Sequence, residues 1–274
     1  MVYILLLCLL YLSNCFIFNK KILSKNTIRQ IKYNLGNRIL NRIKNNIVDN
    51  KFNLTTIENK KIIKIAPAGL NGFYLMGVCT YIRENYDLTD YVFSGASAGA
   101  WNSLYMSFNG DCNEFRKNIF ELDFDNITSV LEMQLMLKNN LVNKFDKNNF
   151  NFNQLYIGVT IFEKFRFYNT IFHDFMNLDD AINCCIASSH IPLITGGFFN
   201  IYKNLYTFDG GFSTNPYINK NETLFITYNM WDDEIDNNFD LNTFNISDYN
   251  FTKTFMNGYY DTMFNKHRLD QILL

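Results

Sequence analysis

Apolar and polar residues change their spacing twice along the chain, and each change marks a different kind of segment. Residues 2–18, VYILLLCLLYLSNCFIF, run without a charged residue. That is long enough for the core of a targeting signal and marginal for a membrane-spanning helix. Ile28, Ile31, Leu35, Ile39, Ile43 and Ile47 then recur three or four positions apart, with Lys and Arg between them. This spacing predicts a basic amphipathic helix reaching Val48. From residue 60 the pattern alternates between short β-like runs and longer helical ones. KKIIKIAP and YVFSG read as strands, each followed by a small-residue turn and a helical stretch, FYLMGVCTYIREN and SAGAWNSLYMSF. Strand, glycine turn, helix, strand, serine turn, helix is a βαβα unit, which predicts parallel strands joined by right-handed crossovers.

Further along, residues 111–139 read as helical in two pieces, and 155–162 and 164–172 as strands. NLDDAINCCIASSHIP opens on capping residues and reads as a helix ending before Pro192. Residues 205–211 and 223–230 read as strands, and 252–274 as the last helix. The chain thus divides into a hydrophobic signal or anchor segment (1–18), a basic segment (19–59) and an α/β domain (60–274).

Charge sharpens this division. Lys20 to Lys61 holds eleven Lys and Arg against Asp49 and Glu58, while the whole chain carries a net charge of −1. The overall balance argues against a general nucleic-acid binder, and the local excess suits the surface of an anionic membrane. A helix that packs on the domain with a solvated basic face is the other reading. Cations after the apolar run rather than before it oppose simple translocation of the downstream chain. They fit an anchor with the body on the cytoplasmic side, or a two-part organelle leader. The 6 Cys show no metal-binding spacing; Cys8 and Cys15 lie in the apolar leader and Cys79 and Cys184 in apolar helical patterns, so they read as buried free thiols rather than a disulfide framework.

Three elements carry candidate chemistry. Gly95-Ala96-Ser97-Ala98-Gly99 fits G-x-S-x-G between a strand and a helix, the corner that a serine nucleophile requires. Gly95 and Gly99 permit close backbone approach there. The helix that follows points its N-terminal amides at Ser97, where they favour an oxyanion. PAGLNG (67–72) is a second strand-to-helix turn, whose backbone amides could hold the oxyanion of an acyl intermediate. FDGGFSTNP (208–216) follows a strand and puts Asp209 at its end, where a base could reach Ser97. Of the histidines, His267 completes the order Ser97, Asp209, His267 of a hydrolase triad, yet it lies in a polar helical stretch. His190 could border the site or end a helix, and His173 has no evident partner.

Together the glycine loop, GASAG and DGG resemble the patatin-like phospholipases over roughly residues 61–270. IASSHIP and MNGYYDTMFN match further stretches of that family, and AGLNGFYLMGV and SGASAGA are nearest in style to its adiponutrin and adipose triglyceride lipase branch. The resemblance implies a three-layer α/β/α fold with a mainly parallel central sheet. It implies a Ser-Asp dyad of Ser97 and Asp209, with no histidine, metal or cofactor. Gly69, Leu70, Asn71 and Gly72 would form the oxyanion hole, and Gly95, Gly99, Gly210 and Gly211 would support the motifs. The substrate implied is a lipid ester at a membrane or lipid-droplet surface. Pro67 and Ala68 depart from the family's more glycine-rich loop, and Pro67 has no N–H to donate. A histidine triad and a non-catalytic membrane-binding homologue remain the alternatives, and the residues name no protein partner.

Overall fold

The structure is a computed structural model that describes residues 47–49, 57–124, 126–232, 246 and 249–274. It is a mixed α/β fold whose central sheet, of mostly parallel strands, is flanked by helices. The strands are β1 (Ile47–Asp49), β2 (Lys61–Ile65), β3 (Tyr91–Ala96), β4 (Leu155–Glu163), β5 (Arg166–Phe172), β6 (Asn200–Tyr202), β7 (Leu205–Phe208) and β8 (Leu224–Ile226). The helices are α1 (Gly72–Asn85), α2 (Ala98–Met106), α3 (Cys112–Phe120), α4 (Val130–Lys144), α5 (Leu178–Ser188), α6 (Phe251–Phe264) and α7 (Lys266–Leu273).

The path of the sheet is β1-β5-β4-β3-β2-β8. Its centre, β8-β2-β3-β4, is parallel throughout, as the alternation of strand and helix predicts. β5 turns back antiparallel on β4. β7 pairs antiparallel with the far half of β4, and β6 with β7. Consequently the C-terminal ends of β2 and β3, with their turns, meet the end of β7 beside the middle of β4.

Alternation along the strands separates two apolar faces. Ile63 and Ile65 on β2, Phe93 on β3 and Leu155, Ile157 and Val159 on β4 join the large cluster to which α1 to α7 all contribute. Ile62, Val92 and Tyr156, one position out of phase, join a smaller one with Ile57 and Ile218. Helix α1 is buried on nearly every side, because it lies between α2 and α6. Polar bonds fix the C-terminal helices on it: Tyr74 Oη donates to Asp261 (2.8 Å) and Tyr86 Oη to Asp270 (2.8 Å).

Several boundaries differ from those the pattern predicts. The periodicity that extends a helix to Val48 ends in a strand, since β-branched Ile47 and Val48 add in parallel to the edge formed by Phe167–Asn169. The sheet therefore draws on residues before position 60. Lys164 and Phe165 belong to a two-residue turn, both with positive φ (49° and 65°), so β5 begins at Arg166. β8 is shorter than 223–230. The terminal helix is broken at Asn265, whose backbone and side-chain amides both donate to the Asp261 carbonyl before a new helix starts at Lys266. The apolar run 1–18 and the basic helix before Ile47 lie outside the described residues. Among the described residues no helix is long and apolar enough to cross a membrane.

Candidate active site

The site is built at two strand-to-helix corners and one strand end. Ser97 is the single residue between β3 and α2, with φ 54° and ψ −125°. A side chain rarely adopts a positive φ, and holding it there costs about 1–3 kcal/mol unless the surroundings enforce it. They do so by backbone contact. A Cβ on Gly95 would lie 2.1 Å from the Gly99 carbonyl oxygen, and one on Gly99 would lie 2.0 Å from the Ile65 carbonyl oxygen. The amide of Ser97 donates to Ser188 Oγ (2.8 Å), which itself donates to the Gly158 carbonyl (2.7 Å). The corner is thus tied to α5 and to the middle of β4.

Asp209 ends β7. Its amide donates to the His190 carbonyl (2.8 Å), and its side chain caps a 3-10 turn, Gly210–Phe212, by accepting from the Gly211 amide (2.7 Å). The other carboxylate oxygen, Oδ2, accepts from Ser97 Oγ at 2.7 Å. Both side chains are buried, at 2% exposure for Ser97 and 1% for Asp209. A carboxylate so deep needs donors to offset lost hydration, and it has them. Gly210 brings the turn against β4, since a Cβ there would meet the Gly158 carbonyl oxygen at 2.1 Å. Burial raises the phenol of nearby Tyr217 well above its ordinary range, and the charge of Asp209 adds to the effect.

The glycine loop follows β2. Gly69 has φ 56° and opens a 3-10 turn, Gly69–Asn71, that leads into α1. The turn uses some of the amides expected to be available. Asn71 donates to the Ala68 carbonyl (3.1 Å), and Gly72 donates to the carbonyls of Gly69 and Leu70. No hydrogen bond within the described residues engages the amides of Gly69 and Leu70. Asn102 of α2 donates to the carbonyls of Gly72 and Ala98, both at 3.0 Å, and so clamps this loop to the serine corner. Ala98, at the first position of α2, has an amide that the helix ladder leaves without an acceptor.

Between the corners opens a cavity of about 100 Å³. Ser97, Gly69 and Leu70 stand at one part of its wall. Phe73 and Met76 of α1, Ile119 of α3 and Leu137 of α4 give the rest an apolar lining.

None of the histidines stands between Ser97 and Asp209, whose side chains touch directly. His267 is exposed on α7. His173 stacks on Tyr156 and pairs with Asp174. His190 is buried, and burial pushes its imidazole down to about 4, against opposing backbone hydrogen bonds near Gly197 and Phe198. Cys79, Cys112, Cys184 and Cys185 are free and buried, and burial raises the thiols of Cys79, Cys184 and Cys185.

The structure therefore brings Ser97, Asp209, Gly69 and Leu70 together, with Gly95, Gly99, Gly210 and Gly211 as close-packed supports. Ser188 and Asn102, which brace the serine corner, carried no sequence signal of their own beyond lying in or near the motifs. A model of the patatin-like phospholipase family matches residues 68–219, just over half of the 274 residues. It takes in the Gly69 turn, the Ser97 corner and the Asp209 turn. Comparison with curated proteins and with solved structures gives no match.

Proposed function

This chain belongs to the patatin-like phospholipase family, a family of lipid acyl hydrolases, and from that premise we propose that it cleaves carboxylic esters of lipids with a Ser97–Asp209 dyad. The observation that carries the reading is the direct 2.7 Å hydrogen bond from Ser97 Oγ to Asp209 Oδ2 at the strained corner. A histidine relay would need its imidazole between those two atoms, and the direct bond leaves no room for one.

In the reaction, Asp209 Oδ2 takes the proton of Ser97 as Oγ attacks the ester carbonyl carbon. The carbonyl oxygen becomes an oxyanion. We assign its donors to the amides of Gly69 and Leu70, joined by Ala98 at the start of α2, rather than to Asn71 and Gly72, whose amides are committed within the loop. The C–O bond breaks, and the departing alcohol takes the proton from Asp209, leaving an acyl ester on Ser97. Asp209 then takes a proton from water, the hydroxide attacks the acyl carbon, and the collapse returns a proton to Ser97 and releases the fatty acid. The apolar lining of the cavity beside Ser97 suits the hydrocarbon of an acyl group.

The substrate would be presented at a membrane or lipid-droplet surface, with residues 1–18 and the part of the basic segment before the edge strand at Ile47 as the attachment. Neutralising the Lys and Arg of residues 20–44 should then weaken binding to anionic vesicles at low salt and leave hydrolysis of a dispersed short-chain ester intact. Unchanged vesicle binding would assign these cations another role.

The test of the dyad is hydrolysis of a lysophospholipid by Ser97→Ala and Asp209→Asn. Each should lose at least about a thousandfold in kcat while keeping the wild-type circular dichroism spectrum. His173, His190 and His267 variants should each retain measurable turnover. A folded Ser97 or Asp209 variant with near-native rate would end the dyad assignment.

A further inference from the structure

One polar side chain in the cavity is not explained by the chemistry at Ser97. Gln134 sits on the inward face of α4, in step with Val130, Leu137 and Leu141, and lines the same cavity. It is 3% exposed. The other polar side chains of the wall are spoken for. Ser97 bonds Asp209, Asn102 bonds two carbonyls, Tyr105 Oη pairs with Thr80, and Ser189 Oγ accepts from Trp101 and donates to the Cys185 carbonyl. No hydrogen bond joins the carboxamide of Gln134 to any described residue.

A buried amide that shares the cavity wall with Met133, Leu137 and Phe115 is an unfavourable choice for a plain hydrocarbon pocket. A saturated chain filling the cavity would strip water from the carboxamide and offer nothing in return, whereas a partner with its own hydroxyl or keto oxygen would satisfy it. Leucine or methionine at this position would keep the volume and the helix without that penalty. Resting on the acyl-hydrolase reading above, we propose that Gln134 selects acyl chains bearing an oxygen substituent, a hydroxyl or keto group along the hydrocarbon, over unsubstituted ones. The carboxamide suits either, since its NH₂ donates to a keto or hydroxyl oxygen and its carbonyl accepts from a hydroxyl. A site built to hydrogen-bond a hydroxyl discriminates strongly against the analogue lacking it, because its own polar group is then left unpaired.

The experiment measures binding, so that it does not depend on turnover. Full-length Ser97→Ala protein is titrated calorimetrically with stearate and with a positional series of monohydroxystearates. At least one isomer should bind about tenfold more tightly than stearate. In the double variant with Gln134→Leu that preference should vanish or invert, with stearate gaining affinity. Gln134→Met repeats the measurement with an unbranched side chain if the leucine variant folds poorly. Affinities for every isomer within about twofold of stearate would overturn the proposal, and so would a preference that survives in both variants. Hydrolysis of the corresponding lysophospholipids by wild-type protein separates the two readings. Selective binding without any Ser97-dependent hydrolysis would remove the activity and leave the selectivity. Hydrolysis of plain and hydroxylated chains at equal kcat/KM, with equal binding, would do the reverse.

Discussion

The two strand-to-helix corners of this molecule, β2 into α1 and β3 into α2, solve the same topological problem in opposite ways. Each must end a parallel strand and start a helix on the same side of the sheet. At β2 the chain spends residues 66–71 on the change of direction and gives the positive φ to a glycine, Gly69. At β3 it uses one residue and gives the positive φ to a serine. The longer corner is relaxed and keeps only part of its amides free. The shorter one is strained and projects a hydroxyl onto Asp209. Strain at the second corner is tolerable because neighbouring backbone leaves Ser97 nowhere else to go.

The largest effect should come from loosening that confinement. Gly99→Ala puts a Cβ 2.0 Å from the Ile65 carbonyl oxygen, a collision with backbone rather than with a movable side chain. We expect a loss of about 3 kcal/mol or more, read as a lowered denaturant midpoint. Gly72→Ala, at the relaxed corner, meets only the Ala98 methyl at 2.9 Å and should be milder. Gly197→Ala, with open space around it, is the control and should shift the midpoint little. Equal losses at positions 99 and 72 would erase the distinction between the corners.

Neither corner contains a group that titrates near neutrality, so an acid-sensitive step in stability should be traceable elsewhere. His190 is the candidate, because its carbonyl holds the Asp209 amide and its imidazole is buried. Its folded value is about 4 against an ordinary 6.5. Below pH 6.5 the unfolded chain takes up a proton that the native protein refuses. Stability is therefore complete above pH 6.5 and falls as pH drops toward 4, by about 2 kcal/mol at pH 5 and about 3 at pH 4. Urea midpoints between pH 6.5 and 5, before most carboxylates titrate, should slope in wild type and flatten in His190→Leu. An unchanged slope in the variant would assign the proton to another group.

Next in size is the relaxed corner itself. Gly69→Ala forces a side chain to φ 56°, which costs about 1–2 kcal/mol. It also turns the amides assigned to the oxyanion. Its kcat on a lysophospholipid should fall about ten- to a hundredfold with little change in KM. Asn71→Ala leaves its own amide in the turn and should fall much less. A reversal of that order would return the oxyanion donors to the second half of the loop.

How well each corner can be read from sequence follows from the same contrast. G-x-S-x-G is legible because one-residue turns force glycines at fixed offsets, and Gly95 and Gly99 stand where backbone meets backbone. The donors in PAGLNG are not legible, since which amides stay free depends on the 3-10 bonds that Asn71 and Gly72 make. The parallel centre of the sheet follows from strand and helix alternating. β1 does not, because Ile47 stands in phase with the helical spacing before it, and neither does β6, a three-residue strand paired only with β7. The turn at Lys164–Phe165 lacks the Asn or Gly that marks such turns. Ser188 and Gln134 acquire their meaning only when α5 and α4 close on the serine corner.

The smallest effect isolates the strain at Ser97 from the chemistry. Ser97→Ala and Ser97→Gly both remove the hydroxyl and its bond to Asp209, and both should be inactive. They differ in what they demand of φ 54°, ψ −125°. Alanine keeps a Cβ in a conformation that disfavours it, whereas glycine relieves the strain and gives back part of the gain as unfolded-state entropy. The glycine variant should therefore be more stable than the alanine variant by about 1 kcal/mol, the difference between strain of about 1–3 and an entropy term of about 0.5–1. Comparing two dead proteins removes any contribution from the Asp209 bond, which neither can make. At Gly69 the native residue is already glycine, so the wild-type corner has no such strain to relieve. A glycine variant at position 97 no more stable than alanine would mean that the corner holds its serine without strain, and the contrast with the β2 corner would then rest on length alone.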